Sequence, residues 1–254
     1  MIRISGLSKK YNEKYVVKNA SALFPLSKVT SVIGPNGAGK STLLSMASRL
    51  TESDAGNVVI ADKALEQWSS EALAKKLAVL RQSNNINMRF TVRELVSFGR
   101  FPHSKGRLTP KDNELIDRAL HHLEITHLQD RYIDQLSGGQ RQMAFIAMVV
   151  AQDTDYIFLD EPLNNLDIKH SVDIMSILRK LAEKHNKTVV IVIHDINFAS
   201  AYSDNILAMK QGEIIKSGRV EEVIKPDILE GIYGIPFNVQ KIDGNLTALY
   251  YRSN

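Results

Sequence analysis

VTSVIGPNGAGKSTLLSMA, Val29 to Ala47, is the stretch that decides the fold. A strand-like run, VTSVI, gives way to a glycine-rich turn and then to TLLSMA, which starts a helix. A continuous run of this kind suits a strand buried on both faces, as in a parallel sheet. GPNGAGKST, Gly34 to Thr42, matches G-x-x-x-x-G-K-[ST] in the strand, loop and helix setting which that pattern requires. Gly34, Gly37 and Gly39, with Asn36 among them, let backbone N–H groups turn inward around a polyanion, and the helix entered through Thr42 adds its partial positive charge. Lys40 reaches β- and γ-phosphates, and the Ser41 hydroxyl can hold Mg²⁺. A chance glycine turn would lack the flanking strand and helix.

The rest of the chain supplies the matching parts. YIFLDE, Tyr156 to Glu161, and TVVIVIH, Thr188 to His194, are further buried-strand runs that end in polar residues. An Asp at the end of a strand beside the loop can hold Mg²⁺ through water, and its neighbour can polarise the water that attacks the γ-phosphate. Asp160 is thus the predicted metal residue and Glu161 the candidate base; two acids that merely cap a strand end are the alternative. His194 fits either a helix-cap or core histidine, since Asp195 begins a helical stretch, or a contact to the γ-phosphate.

Ile2 and Ile4 share one face, and GNVVIA at 56–61 is a second β-rich stretch, so the N-terminal part is predicted to carry a small antiparallel sheet. Helical spacing dominates 84–151, where Leu115, Ala119 and Leu123 mark one stripe. Ile168, Val172, Met175, Leu178 and Ala182 predict a core-facing helix. The predicted fold class is α/β, one domain over 1–254. Its nucleotide-binding core with the β subdomain covers 1–83 and 152–210, a helical lobe covers 84–151, and a C-terminal extension covers 211–254.

Composition fits an ordinary globular chain of 254 residues with 32 Lys and Arg against 28 Asp and Glu, a net charge of +4 with no basic tail for nucleic acid. No cysteine is present, which fits a reducing compartment. The longest apolar runs, such as VVIVI at 189–193, fall short of the roughly 20 residues a membrane span needs. The expectation is a soluble, cytoplasmic chain.

LSGGQRQ, Leu136 to Gln142, poses the remaining question. Ser137, Gly138 and Gly139 open a helix whose Met143, Ile146, Ala147 and Val150 form an apolar face. A serine and a glycine pair at a helix N-terminus make either a tight capped loop or a second anion site. One nucleotide does not easily serve both sites, because the first loop already wraps its phosphates. A second copy of the chain resolves this.

GPNGAGKST, LSGGQ, IFLDEP, the NNLD at 164–167 and the strand-end His194 together resemble the nucleotide-binding subunits of ATP-binding cassette (ABC) transporters, in order and spacing over nearly the whole chain. The resemblance implies a P-loop NTPase (RecA-like) core and ATP with Mg²⁺. It also implies two subunits packed head to tail, with Ser137, Gly139 and Gln140 of one, beside Gly138, closing on the γ-phosphate held by the other. Three further positions carry over: Tyr11 as the aromatic that stacks on adenine, with Tyr15 as the close competitor; Gln82 as the sensor of γ-phosphate and Mg²⁺; and Asp167 at the end of the NNLD turn, where it also suits a helix cap. The family more often shows small residues at Asn164 and Asn165 and an arginine at Met143; none of these is a phosphate ligand in the family pattern.

Thr91 to Arg107 is similar to the region of importer subunits that receives the coupling helix of a membrane permease. VSFGRFP, AQDTDYIFLDEP, DIKH, VIHDINFA and ILEGIYGIPF look like iron-siderophore importer ATPases, whose relatives handle vitamin B12 and haem, and most like the catecholate branch. The resemblance implies permease partners, an identical or similar second ATPase subunit, a substrate-binding lipoprotein acting indirectly, and a place on the cytoplasmic face of a prokaryotic membrane. Three alternatives fit less well. A nucleic-acid cassette needs a long coiled coil, and 84–151 has no sustained heptads. Translation-factor cassettes come two to a chain. A GTPase needs N-K-x-D, and Asn186-Lys187-Thr188-Val189 lacks its aspartate.

Overall fold

A computed structural model describes residues 1–82, 89–164 and 166–250. Asn84, the start of the expected helical lobe, and Asn165 lie outside the described residues. The chain opens with a long hairpin, β1 (Ile2–Tyr11) and β2 (Lys14–Phe24), followed by β3 (Val29–Ile33) and α1 (Lys40–Ala47). Then come β4 (Ala55–Ile60), β5 (Lys63–Ala64), α2 (Ser70–Ala74) and β6 (Leu77–Leu80). Four helices follow: α3 (Val92–Phe98), α4 (Phe101–Ser104), α5 (Pro110–His122) and α6 (Gly138–Ala151). The chain returns to alternation in β7 (Tyr156–Asp160), α7 (Ile168–His185), β8 (Thr188–Val192), α8 (Ile196–Tyr202), β9 (Asn205–Lys210) and β10 (Glu213–Arg219). It closes with α9 (Val220–Val223), α10 (Pro226–Tyr233), β11 (Asn238–Ile242) and β12 (Asn245–Leu249).

Six strands form the central sheet in the order β10-β9-β3-β8-β7-β6, parallel from β9 to β6 and antiparallel at β10. The strands read as buried runs, β3, β7 and β8, are buried at every residue. Because strand side chains alternate, each feeds two cores. Ile157, Leu159, Val189 and Ile191 face the core that holds Ile174 and Met175 of α7 and Ile146 of α6. Phe158, Val190 and Val192 face the core built by Leu43 and Leu44 of α1 with Ile2, Ile4 and Leu7 of β1. The expected antiparallel sheet is there, in the order β2-β1-β4-β5, with Ile2 opposite Ile60 and Ile4 opposite Val58.

The stripe read along α7 needs correction. Met175, Leu178 and Ala182 are buried together with Ser171, Ile174 and Leu181, but Ile168 is 79% exposed and Val172 is also exposed. Val172 lies about 100° round the helix from Ser171, off the buried line. Ile168 is on that line, but in the first turn, where it borders the cleft beside Glu161 and His194 instead of the core.

Three of the four helices that interrupt the alternation have a built start. Thr91, Thr109 and Ser137 cap α3, α5 and α6 in reciprocal capping boxes with Glu94, Asp112 and Gln140. The Leu115, Ala119 and Leu123 stripe is buried, as are Met143, Ile146 and Ala147 on α6. The C-terminal end of α6 is pinned from one side. A Cβ on Gly99 would stand 2.1 Å from the Met148 carbonyl oxygen, so only glycine permits this approach. The buried Arg100 donates from Nη1 to the carbonyls of Ala151 (2.9 Å) and Gln152 (3.0 Å), and from Nε to Asp112 at 2.9 Å.

Candidate active site

Neighbouring parallel strands bring their carboxyl ends to one edge of the sheet, where open α/β sheets form ligand crevices. Along β3, β8, β7 and β6 that edge carries, in order, the glycine loop, His194, Asp160 with Glu161, and Gln82. Four segments distant in sequence thus meet because each follows a strand of the same sheet.

The glycine loop is held in shapes that L side chains avoid. Gly34, Gly37 and Gly39 have φ of 145°, 76° and 96°. A Cβ on Gly34 would stand 2.1 Å from the Met209 carbonyl oxygen and one on Gly39 2.4 Å from that of Val16. Lys40 is buried, its Nζ donating to the carbonyls of Gly34 at 2.8 Å and Pro35 at 3.0 Å, and burial lowers its pKa. Asn36, Gly37, Gly39, Lys40, Ser41 and Thr42 line a cleft of about 160 Å³ with Val16 and Glu161 on its rim.

Ser41 Oγ donates to Asp160 Oδ1 at 2.8 Å. Burial pushes the Asp160 carboxyl above its ordinary range, against the lowering effect of the Ser41 bond. A hydroxyl and a carboxylate at this spacing, both beside the phosphate cradle, form an all-oxygen donor set that suits a hard divalent cation. Among the described residues no group of three or more His, Cys, Asp or Glu is placed to hold a metal ion.

Glu161 follows β7 with φ of 52°, in the left-handed region that non-glycine residues enter rarely and that is enriched at functional sites. Its amide donates to the Val192 carbonyl at 3.1 Å, and the turn directs the side chain toward three donors. Oε1 lies 2.7 Å from His194 Nε2. Oε2 accepts from Gln82 Nε2 at 2.6 Å and from Asn164 Nδ2 at 2.5 Å. Gln82, Glu161 and His194 are therefore in mutual contact through one carboxylate. Asn164, set aside in the sequence as no phosphate ligand, belongs to the same group.

The other predicted residues sit apart. Ser137 caps α6, its Oγ accepting from the Gln140 amide at 3.3 Å while Gln140 Oε1 accepts from the Ser137 amide at 3.2 Å. Gly138 and Gly139 are the first helical residues, and a Cβ on Gly138 would meet no atom within 4 Å. None of these four lines the P-loop cleft of its own chain. Asp167 caps α7, Oδ1 accepting from the His170 amide at 2.8 Å, and that bond holds its carboxyl below the ordinary range. Tyr11 and Tyr15 both stand exposed at the β1–β2 turn, with Lys9 Nζ 5.8 Å from the first ring and Lys10 Nζ 4.4 Å from the second.

The phosphate cradle, the acid-tipped strand two places along the sheet and the parallel sheet itself define a P-loop nucleoside triphosphatase with an antiparallel β sheet on one face and helices on the other. The chain belongs to the ABC transporter family, whose model matches residues 17–164, and it is an ATPase. It is 54% identical, over 99% of its length and 100% of the relative's, to the petrobactin import ATP-binding protein YclP of Bacillus subtilis. It is 37% identical to the ferric enterobactin transport ATP-binding protein FepC of Escherichia coli, over 92% of this chain and 87% of that one. The dimeric structure of the bacterial ABC transporter cassette MJ0796 superposes with a TM-score of 0.78 at 30% identity, covering 87% of this chain and 99% of that one. Among the described residues no helix is long and apolar enough to cross a membrane.

Proposed function

We propose that the chain is the ATP-hydrolysing subunit of a bacterial importer for iron(III)-siderophores of the catecholate type. In this reading it works as a pair of ATPase subunits docked on a membrane permease at the cytoplasmic face, fed by a substrate-binding lipoprotein. The observation that carries the hydrolytic part is the Glu161 carboxylate, held between Gln82 and His194 on the rim of the cleft that Lys40 and Ser41 line. Glu161 is the general base that orients the attacking water, a geometry that positions reactants without covalent chemistry. Lys40 moves from its loop carbonyls to the β- and γ-phosphates, and His194 turns to the γ-phosphate. Ser41, Asp160 and Gln82 are the residues suited to Mg²⁺, which supplies charge neutralisation on the phosphoryl oxygens. Tyr11 stacks on adenine.

The outward-facing tip of α6 supports the two-chain reading. Ser137, Gly138, Gly139 and Gln140 do not line their own P-loop cleft, and Gly138 opens to free space, so a partner's triphosphate can approach the helix N-terminus closely. Asp167 stands at the same face, next to the turn that carries Asn164. Binding then closes the pair and hydrolysis releases it, a ligand-driven shift between two states.

The names of the relatives support the cargo: petrobactin import and ferric enterobactin transport, beside a 41% identical iron(3+)-hydroxamate relative, FhuC of Bacillus subtilis. The test is uptake of radiolabelled iron by a strain lacking the chain, complemented with the wild type or with Glu161→Gln. Wild type should restore uptake from a catecholate complex, and the variant should not. Restoration from hydroxamate complexes alone would sink the catecholate reading. ATPase turnover stimulated by DNA or ribosomes, without any iron phenotype, would sink transport.

A further inference from the structure

We infer that Asn164 is a positioning residue for hydrolysis, the donor that keeps the Glu161 carboxylate aimed while the other two leave it. This rests on the reading of Glu161 as the base. Three donors hold that carboxylate, and they differ in what else they must do. Gln82 and His194 reach it from two other strand ends, 79 and 33 residues away in sequence, and in the function proposed above both turn to the γ-phosphate and its cation when nucleotide binds. Asn164 is three residues from Glu161 and, unlike the P-loop residues, does not line the phosphate cleft.

The local geometry makes its hold independent of the nucleotide. The Asn164 amide donates to the Glu161 carbonyl at 3.3 Å, closing a turn, and its side-chain Nδ2 returns to Oε2 of the same residue. Backbone and side chain of Asn164 thus both fold back on Glu161. The anchored residue is the one that needs holding, since its backbone sits at φ 52°, a conformation that persists only where surroundings over-determine it. A charge-assisted N–H donor to a carboxylate is about twice as strong as a neutral hydrogen bond. With Gln82 and His194 withdrawn, the Asn164 bond is the remaining side-chain restraint on the direction of the carboxylate among the described contacts.

A donor can be separated from a shape-filler by an isosteric change. Asn164→Asp keeps the outline of the side chain but puts a like charge where the donor stood; Asn164→Ala removes both. Asn164 is exposed, so both variants should fold with wild-type melting temperature. The measurement is steady-state ATPase turnover of the assembled transporter with ATP titrated, for wild type, both variants and Glu161→Gln. Asn164→Ala should lower kcat about tenfold, the factor that one charge-assisted hydrogen bond commands, with KM for ATP unchanged. Asn164→Asp should lower kcat at least as far. If Asn164 only fills space, Asn164→Asp will match wild type while Glu161→Gln is inactive, and the assignment falls alone. A rise in KM with kcat unchanged would likewise overturn it. Wild-type turnover in Glu161→Gln would instead remove the base reading from which this inference starts.

Discussion

Asp112→Asn tests how the C-terminal end of α6 is held in place, and its magnitude follows from the contacts of one buried carboxylate. Asp112 accepts from the Thr109 hydroxyl at 2.7 Å, from the Thr109 amide at 2.9 Å and from Arg100 Nε at 2.9 Å. The Thr109 bonds first, then Arg100, lower its pKa from 3.8 to about 2. That drop is about 2 kcal/mol of stability carried by the ionised form. The folded pKa is depressed, so the contribution is present in full above about pH 4, about half of it remains near pH 3, and it is lost as pH falls through about 2. The amide substitution also turns a donor toward the two Thr109 donors and leaves the Arg100 charge buried without a counter-ion, which costs about 3 to 5 kcal/mol where a buried pair is broken. About 3 kcal/mol is therefore expected at pH 7. In a chain of this size each kcal/mol moves the melting temperature by about 2 to 4 °C, so Asp112→Asn should melt about 6 to 12 °C below wild type. Calorimetry at pH 7 and pH 3 checks both halves, since the gap should narrow at pH 3. Equal melting at pH 7, or a gap that stays constant down to pH 3, would refute the reasoning.

Three further outcomes follow from the same geometry. Glu161→Gln should cost about 10²- to 10⁴-fold in turnover while sparing ATP binding, and the variant should elute as an ATP-dependent dimer in size-exclusion chromatography; a persistently monomeric, active variant contradicts the base role. Ser137→Arg should leave nucleotide binding by the single chain intact, measured by fluorescent-nucleotide titration, and abolish hydrolysis; loss of binding would mean that the α6 tip serves its own chain's nucleotide. Gly99→Ala should push α6 away from α3 through the 2.1 Å clash with the Met148 carbonyl, at a cost of about 1 to 3 kcal/mol. Its melting temperature and turnover should fall with ATP affinity preserved, because the P-loop is untouched, and unchanged melting would show that the two helices tolerate separation.

Which parts of this molecule a reader of the sequence can find depends on the length scale of the signal. The glycine loop, the β7 acids and the buried strands β3, β7 and β8 are local patterns, in which composition within a few residues sets backbone shape, and they are where they were expected. α7 shows the limit of periodicity. Spacing identifies a helix and a stripe, but the end of the apolar face is set by where the neighbouring sheet stops, so Ile168 reads as core and stands at the cleft. The Arg100–Asp112 pair was equally hidden, because a separation of twelve positions gives no sign that both ends turn inward. Asn164 was missed for a different reason. Its bond to Glu161 spans three residues, well within local reach, yet it exists because Glu161 takes a left-handed φ just past the end of a strand, and nothing in the letters EPLN announces that turn. A resemblance is strongest at residues that touch the ligand and weakest at those that aim them. The departure of Asn164 from the commoner small residue therefore looked incidental in the sequence, although the side chain ends on Oε2 of the Glu161 carboxylate.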